Sequence, residues 1–192
     1  MTERVMHQAT PGALCLLLAA ALAACGGARG VVVELDGLRA RTPATWSEIE
    51  PVQPPRIRQF VLPGGLEDDA ELSIFHYGRG YGGDIQTSIT RWKSSFEPPP
   101  GQATDITIDD LTTVRTYRTP SVRMTIVDVR GTYLHRDRPL DVRGDPERRR
   151  EHRLIGVVFQ SRHGPYFVRL VGPERTVARH EQAFLRWLRT FQ

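Results

Sequence analysis

Apolar and polar positions alternate with a two-residue period along most of this chain, and in two places the period lengthens to that of a helix. Val31-Val32-Val33-Glu34-Leu35 is a run rich in β-branched residues and reads as a strand. Asp36-Gly37 follows it, a pair suited to a two-residue turn with positive φ at both positions, so residues 38–41 are expected to pair back. Thr42-Pro43 breaks that strand and Trp46 follows. Residues 56–62 set Ile57, Gln59 and Val61 against Arg58, Phe60 and Leu62, and Pro63-Gly64-Gly65 ends the run. Residues 70–77 form another expected strand, with Leu72, Ile74 and His76 on one face.

The first change of period spans residues 84–96. Ile85, Ile89, Trp92 and Phe96 recur at helical spacing, and Pro98-Pro99-Pro100 forbids continuation. Residues 104–108, 112–118 and 122–134 read as further strands. Residues 135–151 are polar, charged and interrupted by Pro139, Gly144 and Pro146, which predicts a loop. Residues 153–161 and 166–171 flank Arg162-His163-Gly164-Pro165 as a hairpin. Pro173-Glu174 then opens a final helix whose buried face is Val177, Phe184, Leu188 and Phe191. Antiparallel strands with two separated helices predict an α+β fold: a single domain over residues 31–192, its antiparallel sheet flanked by two main helices in an α/β/α sandwich.

At this point the order of elements resembles a known family. The strand leading into Pro43-Ala44-Thr45-Trp46, the strand end Phe60-Val61-Leu62-Pro63-Gly64, the middle helix, and the closing hairpin with its amphipathic C-terminal helix are similar to the PsbP-like domain. That fold occurs in photosystem II extrinsic proteins and in bacterial lipoproteins without assigned roles. The resemblance covers residues 31–192 and implies a non-catalytic assembly or binding role. It transfers no functional residue.

The N-terminus changes the picture of location. Leu22-Ala23-Ala24-Cys25 closes an apolar run and resembles the lipobox of bacterial lipoproteins. The run from Ala13 to Ala24 has 12 residues, too short for a membrane-spanning helix, and Arg4 precedes it. The resemblance implies that residues 1–24 are a signal peptide, that Cys25 is lipidated, and that residues 25–30 are a flexible tether. Cys15 lies inside the apolar run after Gly12-Ala13-Leu14, a poor lipobox. The mature domain would then hold no disulfide and no cysteine ligand. Gly26 in place of an aspartate favours the outer membrane, facing the periplasm. The net charge is +4, and Lys93 is the single lysine, so the positive charge is almost all arginine.

Candidate chemistry is sparse. Gly78-Arg79-Gly80-Tyr81-Gly82-Gly83 matches G-x-G-x-x-G between a strand and a helix. A dinucleotide site is disfavoured by its place after several strands, by the prolines ending the helix, and by an envelope location. A tight turn explains the glycines, and Arg79, Gly80, Gly82 and Gly83 at a helix start remain an anion-binding candidate. His180-Glu181 starts an H-E-x-x-H motif, but Phe184 occupies its last position. His76, His135, His152 and His163 lack ligand spacing. His135, Asp137, Asp141 and His152 share or border one segment without a pattern that demands a metal. There is no G-x-S-x-G elbow, and Glu67-Asp68-Asp69 and Asp109-Asp110 sit in turn contexts.

Residues 136–153 hold seven arginines against five acids, densest at Arg148-Arg149-Arg150. Such a run is ordinarily a solvated face, and its functional reading is contact with an anionic headgroup, glycan or protein. Nucleic acid is excluded by compartment and by the lack of a basic stripe interleaved with aromatics. The expected function is an envelope-anchored, non-catalytic binding or assembly module for an unknown envelope protein or anionic ligand, with no cofactor and no metal. An envelope hydrolase and a plain structural spacer are the alternatives.

Overall fold

The computed structural model describes residues 29–52, 54–78, 84–136, 144–161 and 164–192. Strands β1 (Val32–Leu35) and β2 (Leu38–Arg41) form the expected hairpin, with Asp36 at φ 53° and Gly37 at φ 80°. The other strands build one antiparallel sheet. They are β3 (Ser47–Ile49), β4 (Arg56–Leu62), β5 (Ala70–His76), β6 (Phe96–Glu97), β7 (Thr112–Arg118), β8 (Arg123–His135), β9 (Glu147–Ser161) and β10 (Gly164–Pro173). Their order is β3-β4-β5-β10-β9-β8, with β6 and β7 both on the outer edge of β8.

Helices α1 (Ile85–Lys93) and α2 (Glu174–Arg189) lie on opposite faces of this sheet. The period-two alternation decides which side chain goes where. Along β9, Ile155, Val157 and Phe159 enter the core under α2, while Leu154 and Val158 enter the core under α1. On the α2 side, Val177, Phe184, Trp187 and Leu188 pack with Trp46, with Val33 and Leu35 of the hairpin, and with Phe60 and Leu72. Full burial of a side chain of this size contributes roughly 1.5–3 kcal/mol. Phe191 and Gln192 follow the helix, and Arg39 N donates to Gln192 O at 2.9 Å, which ties the hairpin to the C-terminus. On the α1 side, Trp92 lies on Gly156, where an added Cβ would be 2.5 Å from the indole. The arrangement is an α+β single domain, but the layers are uneven: the sheet dominates, and α1 spans only nine residues.

Four boundaries differ from the sequence expectation. Helix α1 stops at Lys93, and Phe96 sits on β6 opposite Tyr133. Its burial under α1 is nonetheless correct, because β6 brings the ring into the same cluster. Residues 104–108 form turns, with the Asp110 carboxylate accepting from Thr107 N at 2.8 Å, a local bond that competes with a strand ladder. The segment expected as a loop over 135–151 is strand at both ends, because β8 runs to His135 and β9 starts at Glu147. Glu151, at φ 52°, supplies a bulge where Gly131 and Tyr133 change register with β9. Pro173 ends β10 and caps α2 from outside the helix.

Candidate anion-binding site

Several expected site residues lie outside the described residues: Cys25 with its leader, and Arg79, Gly80, Gly82 and Gly83 of the glycine motif. The neighbouring helix start is described. Asp84 caps α1, its carboxylate accepting from Thr87 N at 2.7 Å, and that hydrogen bond pulls the Asp84 pKa below the usual carboxylate value. The positive end of α1 therefore already faces a carboxylate of its own chain.

Arg148, Arg149 and Arg150 are on β9 rather than in a loop, with Arg149 opposite Tyr133 and Arg148 opposite Leu134. Alternation sends Arg148 and Arg150 to one side and Arg149 to the other, so the run does not present a single patch. Arg148 pairs with Glu97 at 3.2 Å and Arg149 with Glu147 at 2.7 Å. The Arg149 hydrogen bond also lowers the Glu147 pKa. His135 and His152 flank the Tyr133 ring, His152 stacking on it at 6.1 Å. Burial lowers the His152 pKa and so favours its neutral form. Asp137 and Asp141 lie outside the described residues. His180 is a core residue whose Nε2 donates to Pro63 O at 3.0 Å, and His76 stacks on Tyr166 at 4.4 Å. Among the described residues no three His, Cys, Asp or Glu side chains gather as metal ligands.

The structure brings together a set that no run in the sequence marks. The turn joining β7 and β8 places Arg118 directly opposite Arg123, and Arg123 is directly opposite Gln160 on β9. Val158, two residues before Gln160, is in the core under α1, so all three side chains belong to the α1 face. Thr119 Oγ1 accepts from Val122 N at 3.0 Å and from Ser121 N at 3.3 Å, which braces the turn. Arg118, Ser121, Arg123, Gln160 and Ser161 line a cleft of about 330 Å³. A second cleft of about 440 Å³ adjoins it at Gln160, between Asp84-Ile85-Gln86 and Pro165. The Gln160 Oε1 is buried and has no hydrogen-bond donor. Among the described residues Arg115, Arg118 and Arg123 have neither an ion pair nor a side-chain hydrogen bond. Like charges directly opposite across strands oppose folding, so the Arg118–Arg123 pair is not accounted for by stability. Its sequence signal was present but faint: two arginines flanking a four-residue Thr-Pro-Ser-Val turn, which become neighbours once the hairpin is in register.

A contrasting set on the same face shows what paired arginines look like here. The Glu71 carboxylate takes Arg56 at 3.3 Å, Arg169 at 3.3 Å, the Ser73 hydroxyl at 2.5 Å and the Gln59 amide at 3.0 Å. Burial alone would raise the Glu71 pKa, but the Ser73 bond and the two guanidiniums outweigh it and hold it below the usual value. Burial pushes Arg56 down from its ordinary value. That cluster shares one carboxylate between two guanidiniums and leaves Arg56 Nε and Arg169 Nε buried without an acceptor, whereas the Arg118–Arg123 pair has no carboxylate among the described residues.

Comparison with known proteins adds the fold. The solution structure of cyanobacterial PsbP (CyanoP) from Synechocystis sp. PCC 6803 matches with a TM-score of 0.51 at 14% identity, over 89% of this chain and 98% of that one. The fold is PsbP-like. At that identity the PsbP likeness carries architecture and no chemistry. A Pseudomonas aeruginosa protein of unknown function, PA94, described as a putative regulator, gives a TM-score of 0.44 at 14% identity over 84% of this chain and 94% of its own. No protein-family model matches the sequence, and no curated protein matches it.

Proposed function

We propose that this chain is an envelope-anchored, non-catalytic binding or assembly module that engages an anionic partner through the β7–β8 end of its PsbP-like domain. The observation that carries the reading is the imbalance of charge on the sheet. Arg118 and Arg123, side by side on one face, have no ion pair among the described residues, whereas Arg148 and Arg149 on the neighbouring hairpin are both paired. Unpaired guanidiniums are free to form bidentate bonds with carboxylate or phosphate oxygens. The anchor rests on the lipobox-like Leu22-Ala23-Ala24-Cys25.

Two experiments test this. Cys25→Ala should leave an uncleaved precursor without bound lipid, and Cys15→Ala should change neither; wild-type protein free of the membrane would contradict the anchor. One acyl chain binds marginally, at about 0.8 kcal/mol per buried methylene, but several together hold firmly. Affinity capture from intact envelopes should recover a partner whose retention falls between low and physiological salt, where exposed charges are screened over about 8 Å. Capture that ignores both salt and the Arg118→Gln/Arg123→Gln change would leave shape-based recognition in place of this reading.

A further inference from the structure

The geometry points to a phosphate-binding site in the cleft at the β7–β8 turn, built by Arg118, Arg123, Ser121 and Gln160. Two adjacent strands set the guanidinium-bearing residues directly opposite each other, roughly 4.5–5.5 Å apart at Cα, so both forks can reach one group in the cleft. Neither arginine has a partner among the described residues, and both are exposed. A phosphate monoester offers three terminal oxygens and up to two charges to such a pair; a phosphodiester offers two oxygens and one charge, as a carboxylate does, but on a tetrahedral centre that spreads them towards two opposed forks. Gln160 forms the floor next to Arg123, and its buried Oε1 has no donor. The Gln160 side chain borders both clefts, so the molecule that carries the phosphate has room beside it in the adjoining 440 Å³ cleft. The ligand class is therefore a phosphate ester, with two sources: a small soluble phosphate monoester, or the phosphodiester headgroup of a lipid.

This deepens the anionic-partner reading and can fail separately from it. A captured envelope partner that depends on Arg118 and Arg123, together with no binding of any phosphate probe, would leave that reading standing and overturn the phosphate site. The test is calorimetric titration of the full chain with three probes: glycerol 3-phosphate, glycerophosphoglycerol (the headgroup without acyl chains), and sodium acetate. Binding of either phosphate probe above acetate supports the site; preference for the first assigns the soluble source and for the second the lipid. Losing one charge-assisted contact costs about tenfold in affinity, so Arg118→Gln/Arg123→Gln should weaken binding about a hundredfold. Arg123→Lys keeps the charge but loses the fork, and should fall between. Arg148→Gln should bind like wild type. Both replaced arginines are exposed, and an unchanged melting curve checks that the variants are folded. Acetate binding as tightly as the phosphate probes, or phosphate binding indifferent to both arginines, would overturn the proposal.

Discussion

The two faces of the sheet are made by the same strands and differ in what covers them. Under α2 and the β1–β2 hairpin, one apolar cluster runs from Trp46 through Phe184 and Trp187 to Phe191, and even its ion pair is buried and complete. Arg153 binds Asp128 through two nitrogens, at 2.8 and 2.6 Å, and reaches Glu181 at 2.8 Å. Burial opposes the Arg153 charge, but those carboxylates more than compensate and raise its pKa above the ordinary value. Under α1 the apolar cover is narrow, centred on Trp92 over Gly156, and polar residues begin at once on either side. Glu71 with its two arginines lies towards β4, and the Arg118–Arg123–Gln160 row lies at the β7–β8 end. The lesson is a division of labour: the α2 face holds the domain together, and the α1 face leaves chemistry uncommitted.

That division can be broken from the α2 side first. Phe184→Ala should cost about 3–5 kcal/mol in urea unfolding, because the ring is fully buried with Trp46 and Trp187 around it. Asp128→Ala should cost about 3–5 kcal/mol by stranding a buried guanidinium. If either variant matched wild type, the α2 face would not be the stabilising one. On the α1 side Gly156→Ala should cost about 1–3 kcal/mol, since the new methyl drives into the Trp92 ring. A smaller effect belongs to pH. Glu71 has a lowered folded pKa, so its stabilisation is fully present above about 4.5 and is lost as pH falls through the folded value. Unfolding free energy measured against pH should show an acid limb that Glu71→Gln flattens. Smallest of all, Arg118→Gln should move stability by less than about 0.5 kcal/mol, because nothing within the described chain depends on it.

Much of the α2 face was legible in the sequence. Val177, Phe184 and Leu188 keep helical spacing, and Phe60, Leu62, Leu72 and Ile74 keep strand spacing, because burial is a repeated constraint that prints a period. Asp36-Gly37 was legible because only a few residue pairs tolerate that turn. The ends of β8 and β9 were not: Glu147, Arg148 and Arg149 are strand through pairing with His135, Leu134 and Tyr133, a tertiary effect that outweighs their polarity. The Arg118–Arg123 pair was hidden for a related reason. Its members are five positions apart and become neighbours through register, whereas the denser arginine run at 148–150 is the more conspicuous in sequence although two of its charges are paired.

One comparison tests the central claim most directly, because it holds the change in charge constant and moves only its place. Arg118 and Arg123 are replaced by Gln in one full-length variant, and Arg148 and Arg149 in another, each removing two positive charges. Retention of the two on an anionic phosphate-bearing matrix is then read across a salt gradient. The account predicts that the first variant elutes at much lower salt than the second, which stays close to wild type. Equal loss in both would mean that net charge alone drives binding, and a greater loss in the second would place the site on the β8–β9 hairpin instead.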